Sequence, residues 1–329
     1  MTRLRYNIWL VLMPVLLGAC GKAVDPNQDP GQESYDGGPV TLTVATCNVL
    51  KPSGRRDEMS LDKIAVQQAL AKSVRNTGAD IIGFNELDET LVSGGRYSLP
   101  EKCALLSFTW KLEWPNAPHE NNTATYSYAN GFAFNHAKFK LEESGYVWLS
   151  KDEAETWYVK PASAYKNAGS PARTCVWARM THKASGKVFW LFVTHLPTDS
   201  QGGAYNMAGV LNRFAAQKAG DAPAILTGDM NCSPAMSSVS ATAAYRRLTG
   251  YWTDGNLTSQ EGTMSGSSEK YYYTPDVYTR NHPERRIDHI MTRGCSASGY
   301  HTVISTYTAN EKVWCPSDHL PVTATITIK

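Results

Sequence analysis

The sequence predicts an α/β fold in which two β-sheets pack face to face and helices cover their outer surfaces. Two patterns carry this prediction: short apolar runs that end in polar residues, and amphipathic helical segments between them. Nearly continuous apolar runs are typical of strands that are covered on both faces. The four runs, each with a polar residue that follows it, are 42–45 before Asn48, 81–84 before Glu86, 189–193 before His195 and 224–226 before Asp229.

Two later segments have the opposite order, with the polar residues first. Asp288-His289 stands before an apolar pair, and Asp318-His319 stands before the strand-like run 323–328. If these two strands run antiparallel to the other four, the polar residues of all six segments lie along one rim. The sequence therefore predicts a polar pocket at one edge of a β-sandwich.

Three amphipathic segments supply the helices that such sheets need. Each has apolar residues at helical spacing, a residue that can cap its start, or a glycine that can end it. The helices are predicted to run from Ser60 to Gly78, over the segment 207–220, and from Ser233 towards Leu248.

The N-terminus has the features of a secretion signal. Arg3 and Arg5 precede an apolar stretch at 8–17, which is too short to span a bilayer, and small residues then precede Cys20. This arrangement resembles a bacterial lipoprotein cleavage site, with Cys20 as the lipidated residue. The alternative is an ordinary signal peptide with an incidental cysteine.

We expect three regions: a signal peptide at 1–19, a flexible tether at 20–39 and one large domain at 40–329. The tether is rich in proline, glycine and aspartate and nearly without apolar residues. These features predict a protein anchored by its lipid in the bacterial cell envelope, with no other contact with the membrane. We expect a monomer.

Charge and cysteine content limit the function classes only weakly. Without Arg3 and Arg5 the chain has 30 basic and 30 acidic residues, so the usual electrostatic hint of nucleic-acid binding is missing. A local basic groove is still compatible with this balance. Six cysteines beyond Cys20 could form up to three disulfides in an oxidising compartment, and their spacing fits no zinc site.

The polar residues at the predicted rim match the needs of phosphate-ester cleavage. Glu86, with an amide oxygen from Asn48, suits Mg²⁺, which prefers oxygen ligands and takes few protein carboxylates. Asp229 suits the alignment and deprotonation of an attacking water. Asn231 lies two residues further on, so it projects from the same side of an extended segment.

Imidazoles complete this chemistry. A protonated imidazole of His319 or His195 can donate to a phosphoryl oxygen, and a carboxylate must hold its charge and tautomer. Adjacent strand residues point to opposite sides, so His319 should pair with Asp288 rather than with Asp318. Asp318 is then free to face a metal ion or its waters.

In this order the motifs resemble those of the endonuclease/exonuclease/phosphatase superfamily. The resemblance covers about residue 41 to the C-terminus and implies the deoxyribonuclease I-like fold, a four-layer α/β/β/α sandwich of two mostly antiparallel sheets. Additional short motifs are similar to a bacterial lipoprotein subgroup: Trp148-Leu149-Ser150, Arg173, Gly186-Lys187 and Gly262-Thr263. The main motifs are Thr46-Cys47-Asn48, Asn85-Glu86, Thr194-His195-Leu196, Gly228-Asp229-Met230-Asn231, Ile287-Asp288-His289-Ile290 and Ser317-Asp318-His319-Leu320-Pro321-Val322.

The resemblance also implies a role for each residue. Mg²⁺ or Mn²⁺ would be held by Glu86 with help from Asn48 and Asp318, and Arg173 would bind the phosphate or its carrier. The implied catalytic residues are His195, Asp229, Asn231, Asp288 and His319. Two departures stand out: Asn85 precedes Glu86 where glutamine is frequent, and Pro197-Thr198-Asp199 follows Leu196 where Asp-His is common.

These observations predict a metal-dependent hydrolase of phosphate esters, either diesters or monoesters, that acts outside the cytoplasm by in-line attack of an activated water. A secreted nuclease acting on DNA or RNA is the alternative within the same chemistry. A non-catalytic envelope binding lipoprotein is the alternative of another class. The fold does not choose among substrates of this kind.

Overall fold

The computed structural model describes residues 37–50, 63–87, 110–113, 129–149, 173–198, 203–255, 263, 285–309 and 311–329. The helices are α1 Lys63–Asn76, α2 Ala204–Ala219 and α3 Val239–Thr249. The strands are β1 Val40–Asn48, β2 Ile81–Leu87, β3 Trp110–Glu113, β4 Ala129–Asn135, β5 Phe139–Leu149, β6 Arg173–His182, β7 Val188–His195, β8 Ala224–Asp229, β9 Thr253–Asp254, β10 Asp288–Arg293, β11 Ser296–Thr302, β12 Tyr307–Ala309, β13 Lys312–Trp314 and β14 Val322–Ile328.

Two six-stranded sheets contain twelve of these strands. Sheet 1 has the order β11-β14-β1-β2-β4-β3, and sheet 2 has the order β5-β6-β7-β8-β10-β9. The pairs β1–β2 and β7–β8 are parallel, and β14 and β10 run antiparallel to their neighbours β1 and β8. The predicted strand directions are therefore confirmed. The carboxyl ends of four strands and the amino ends of β10 and β14 meet at one rim.

Three apolar layers hold the sheets and helices together. Between the sheets, Val44 and Ile81 of sheet 1 belong to the same buried cluster as Val193 and Ile225 of sheet 2. A second cluster joins α1 to the outer face of sheet 1, and a third joins α2 and α3 to the outer face of sheet 2. This is the four-layer sandwich that the sequence predicts.

The predicted helices agree with the structure in two cases and differ in one. Helix α1 ends shortly before Gly78, although its predicted cap Ser60 lies outside the described residues, and α2 ends at Gly220. The predicted start of the third helix at Ser233 is wrong. There the serine hydroxyl closes only a short turn by accepting from the backbone N–H of Ala235, whereas Ser238 caps α3.

No disulfide joins the cysteines in the described part of the chain, which are Cys47, Cys175, Cys232, Cys295 and Cys315. Cys103, the lipidation candidate Cys20 and most of the tether fall outside the described residues, so the predicted signal and anchor stay predictions. Within the described ranges, no helix combines the length and the apolar character that a membrane crossing requires.

The sheets approach each other closely just below the rim. A Cβ atom on Gly83 of β2 would lie 2.1 Å from Oγ1 of Thr227 and 3.2 Å from Cγ1 of Val193, both in sheet 2. The hydroxyl of Thr227 is buried and has no hydrogen-bond partner in the described part of the chain. The spacing of the sheets here depends on the missing side chain of Gly83.

We expect Gly83→Ala to lower the free energy of unfolding by about 1–3 kcal/mol, because the added methyl group overpacks a close-packed interior. Thr227→Ala in the same chain should recover part of this loss, because it removes the nearest atom. Urea denaturation of the single and double variants measures the coupling.

The matched control is Gly186→Ala, at a turn where a Cβ atom would meet nothing within 4 Å. Its left-handed backbone predicts a cost of about 1–2 kcal/mol that Thr227→Ala does not relieve. Additive effects of Gly83→Ala and Thr227→Ala would contradict the close approach.

Candidate active site

The predicted rim residues come together at the strand ends. The structure brings most of them into direct contact with one another, and each lies at or beside the end of a strand. They are Asn48 in β1, Glu86 in β2, His195 in β7, Asp229 in β8, Asp288 in β10, and Asp318 and His319 just before β14.

The carboxylate of Asp229 is the centre of the contacts. Its Oδ2 lies 3.1 Å from Nδ2 of Asn48, 3.2 Å from Nε2 of His195 and 3.7 Å from Nε2 of His319. Its Oδ1 accepts a 2.9 Å hydrogen bond from the backbone N–H of Asn231. Burial alone would raise the pKa of Asp229, but the charges of His195 and His319 and these hydrogen bonds hold it well below its usual range.

His319 pairs with Asp288, as the sequence predicts. Nδ1 of His319 lies 2.8 Å from Oδ2 of Asp288, and both side chains are buried. Burial alone would lower the pKa of His319, but the negative charges of Asp288 and Asp229 raise it well above its ordinary value. The surroundings therefore favour the charged form of the imidazole, and its Nε2 is directed towards Asp229.

Glu86 reaches the rim through an irregularity in β2. Its φ is 60°, and the pairing of β2 with β4 shifts register between Phe84 and Leu87. Such a bulge re-aims a side chain at the edge of a sheet. The amide nitrogen of Asn48 donates to Oε1 of Glu86 at 3.3 Å, while the amide oxygen of Asn48 accepts from the N–H of Leu50. Asn48 thus faces the carboxylates as a donor, and metal ligation by its oxygen stays a prediction.

Asp318 is partly buried in the same negative environment. Burial, together with the charges of Glu86 and Asp229 and against the opposite effect of His319, raises the pKa of Asp318 to about 6. Carboxylates that repel one another in this way are suited to bind a divalent cation, because the cation would offset the repulsion between their charges. Glu86 and Asp318 are the residues that would hold it.

A second arrangement of ligand atoms suits a metal less well. One ligand atom each from Asp229, Asp288 and His319 lie within 4.8 Å of one another. However, Nδ1 of His319 is hydrogen-bonded to Asp288, and the raised pKa of His319 favours the imidazolium form, which has no lone pair for a metal. This trio is better suited to proton handling than to metal binding.

Asn231 and Arg173 occupy supporting positions. Asn231 has a φ of 47°, and its side chain donates to the backbone carbonyl of Leu196 at 2.8 Å, which ties the loop after β8 to the end of β7. Arg173 is buried as the first residue of β6. Its predicted contact with phosphate stays a prediction.

Sequence reasoning missed the part played by Thr263. Its Oγ1 accepts hydrogen bonds from the backbone N–H groups of Ile287 and Asp288, both at 3.1 Å. Its carbonyl accepts from the N–H of Leu320 at 2.9 Å. Thr263 therefore links the backbone at Asp288 to the backbone beside His319. The Gly262-Thr263 motif was the available signal, but one sequence does not show which N–H groups a threonine will bind.

We expect Thr263→Val to lower the free energy of unfolding by about 1–3 kcal/mol, because two buried N–H groups lose their acceptor while the side-chain shape is kept. Thr263→Ser retains the hydroxyl and should recover most of this loss. Urea denaturation of the wild type and the two variants measures their free energies of unfolding. Equal stability of the serine and valine variants would contradict the role of the hydroxyl.

Stability should also depend on pH through His319. Its folded pKa lies above the ordinary 6.5, so its stabilising contribution is complete below that pH and is lost as pH rises through the folded pKa. Asp288→Asn removes a charge that raises this pKa, so the variant should lose less stability than the wild type as pH rises. Urea unfolding of the metal-free proteins between about pH 6 and about pH 9 measures the difference.

The matched control for this pH series is His301→Gln, because the His301 side chain is exposed. Its pH dependence should follow that of the wild type. Identical curves for the wild type and Asp288→Asn would contradict the assigned pair.

Comparisons with known proteins agree with this architecture. The family model described as the endonuclease/exonuclease/phosphatase family matches residues 45–319. An endonuclease/exonuclease/phosphatase family protein from Bacteroides thetaiotaomicron is 21% identical with a TM-score of 0.68, over 89% of this chain and 99% of that chain. A mannosyl-6-phosphatase from the same species is 21% identical with a TM-score of 0.67, over 87% of this chain and 99% of that chain.

A more distant structure has a nucleic acid bound. D. rerio TDP2, in complex with a single-strand DNA product, is 14% identical with a TM-score of 0.58, over 87% of this chain and 98% of that chain. At these identities the solved structures show a shared fold. No curated protein sequence matches the chain.

Proposed function

The chain belongs to the endonuclease/exonuclease/phosphatase family, a family of phosphate-ester hydrolases, and we propose that it uses Mg²⁺ or Mn²⁺ and an activated water to cleave its substrate. The observation that carries the proposal is the position of His319. Its imidazole lies between two buried carboxylates, 2.8 Å from Asp288 and 3.7 Å from Asp229, at the rim that also holds Glu86.

Asp229 orients the nucleophile. Its low pKa keeps it ionised, so its carboxylate can accept a hydrogen bond from a water. The same low pKa makes it a weak base, so it takes up the proton only as the attack on phosphorus makes that water acidic. Its two oxygens are fixed by Asn48, His195 and Asn231, and this reduces the freedom of the carboxylate before the substrate arrives. Fixed geometry of this kind lowers the entropic part of the barrier.

The imidazoles stabilise the negative charge that develops on the phosphoryl oxygens. His319 donates from Nε2 to a non-bridging phosphoryl oxygen, and Asp288 keeps the ring oriented and charged through Nδ1. His195, whose Nε2 lies 3.2 Å from Oδ2 of Asp229, provides a second donor. A divalent cation held by Glu86, with Asp318 and Asn48, would neutralise charge on the phosphoryl and leaving oxygens.

The proposed site of action is the bacterial envelope. The signal-like segment before Cys20 and the tether that follows support secretion and lipid anchoring. The substrate is proposed as a phosphate monoester or diester available outside the cytoplasm. The fold shared with a mannosyl-6-phosphatase supports testing sugar phosphates, and the fold shared with a DNA-bound enzyme supports testing DNA and RNA as the alternative.

Purified residues 21–329 should hydrolyse an aryl phosphate monoester or diester with Mg²⁺ or Mn²⁺, and EDTA should stop the reaction. A parallel panel of sugar phosphates, phosphoinositides, sphingomyelin, DNA and RNA then identifies the substrate class. Absence of metal-dependent turnover across the whole panel would favour the non-catalytic binding protein.

Variants test the assigned roles. Asp229→Asn should lower kcat by about 10²–10⁴-fold, because the amide cannot accept the proton.

Glu86→Gln should raise the metal concentration needed for half-maximal activity. The matched control is Glu142→Gln in β5, which removes a carboxylate bound to Lys140 of the same strand and to Thr181 of β6, and it should leave kcat unchanged. Full activity of Glu86→Gln at low metal concentration would contradict the metal site.

A further inference from the structure

The candidate active site is divided between the two sheets. Asn48 and Glu86 belong to sheet 1, whereas His195 and Asp229 belong to sheet 2. Apolar contacts between sheets are non-directional, so they do not by themselves fix the relative position of groups on opposite sides. A directional contact across the gap is needed to hold the two halves in register.

Asn85 makes such a contact directly below the rim. Its Oδ1 accepts from the backbone N–H of Asp229 at 2.8 Å, and its Nδ2 donates to the backbone carbonyl of Thr194 at 2.9 Å. The register of β7 with β8 pairs Thr194 with Gly228 and His195 with Asp229, so these two backbone groups are neighbours. One side chain of sheet 1 thus binds the backbone at the polar ends of β7 and β8 in sheet 2.

Asn130 holds the amide of Asn85 in place. Nδ2 of Asn85 also donates to Oδ1 of Asn130 at 2.7 Å, and Nδ2 of Asn130 donates to the carbonyl of Thr174 in β6 at 2.8 Å. The hydroxyl of Thr194 donates to the same carbonyl at 2.9 Å. These hydrogen bonds therefore join sheet 1 to sheet 2 through both Asn85 and Asn130. Each of the two amides is held in one orientation by hydrogen bonds at its oxygen and at its nitrogen.

The burial of these amides is informative. Asn85 is completely buried and Asn130 is 2% exposed. A buried amide costs free energy unless its hydrogen bonds are made, and a connected network in a low-dielectric interior is correspondingly rigid. An apolar pair at these positions would fill the same space without this requirement, but it would impose no orientation on Asp229.

We propose that Asn85 is a positioning residue that sets the location of Asp229 and His195 relative to Glu86. The proposal rests on the proposed hydrolase function. We call the two hydrogen bonds from Asn85 to the backbone of Asp229 and Thr194 the clamp. Asn85 precedes Glu86 in β2, so one strand carries both the predicted metal ligand and the clamp. Asn130 supports the clamp by fixing the rotation of the Asn85 amide.

Asn85→Leu tests the clamp, because it keeps similar bulk and removes all the hydrogen bonds. In the full-length chain we expect kcat on an aryl phosphate ester to fall about 100-fold, the scale expected of a 1 Å misplacement. KM should change by less than about threefold, because substrate contacts are not removed. Hydrogen exchange of the Asp229 amide in metal-free, substrate-free protein should become faster.

A second variant guards against a failure of Asn85→Leu to fold. Asn130→Leu keeps the bonds of Asn85 to Asp229 and Thr194 but removes the bond from Asn85 to Asn130 and the bond from Asn130 to the Thr174 carbonyl, so we expect a smaller fall in kcat, about tenfold. The matched control is Thr292→Val in β10, which removes a buried hydroxyl without a hydrogen-bond partner in the described part of the chain. It should change neither kcat nor exchange at Asp229.

The outcomes separate this proposal from the proposed function. Unchanged kcat in both asparagine variants overturns the positioning role, and so does a lowered kcat with unchanged exchange at Asp229. If the wild type hydrolyses no phosphate ester, the proposed function fails. Exchange then decides alone: faster exchange at Asp229 in Asn85→Leu supports the clamp, and unchanged exchange overturns it.

Discussion

A buried negative charge at Asp229 is the interaction on which the rim of this sandwich depends. An isolated carboxylate at this depth would be strongly disfavoured and would take up a proton. Asn48 and His319 approach it from the side of sheet 1, and His195 and the backbone N–H of Asn231 approach it from sheet 2. Both sheets therefore have to be in place before the charge is compensated, and folding of the rim is coupled to assembly of the site.

The same coupling explains the change of residue type along the strands. Away from the rim, the facing positions are aliphatic, with Val44 and Ile225 in one apolar layer. Closer to it the layer contains Gly83 against Thr227, and at the rim Asn85 binds the backbone of the opposite sheet. Away from the rim, apolar packing provides most of the stability. At the rim, polar groups contribute less to stability but fix the positions of the site residues.

The sequence was sufficient for the parts of the fold that repeat along the chain. Apolar runs with polar ends predicted the rim, and the alternation of strand side chains predicted the contact of His319 with Asp288. The third helix was predicted to start at Ser233, but Ser238 caps it by accepting from the backbone N–H of Ala241. Both serines can cap a helix, and the sequence pattern alone favoured the first because proline follows it. Asn85 and Asn130 gave no periodic signal, since their partnership depends on the pairing of β2 with β4.

Backbone strain also concentrates where the chemistry is predicted. In the described part of the chain, four non-glycine residues have positive φ, and three of them, Leu50, Glu86 and Asn231, adjoin the site. Such conformations cost about 1–3 kcal/mol each and persist only where their surroundings over-determine them. For Glu86 a glycine would relieve the strain but would remove the carboxylate. The hydrogen bond from Asn48 and the bulge against β4 hold the residue in this conformation, so the apolar layers beneath the rim offset a cost that serves the predicted metal site.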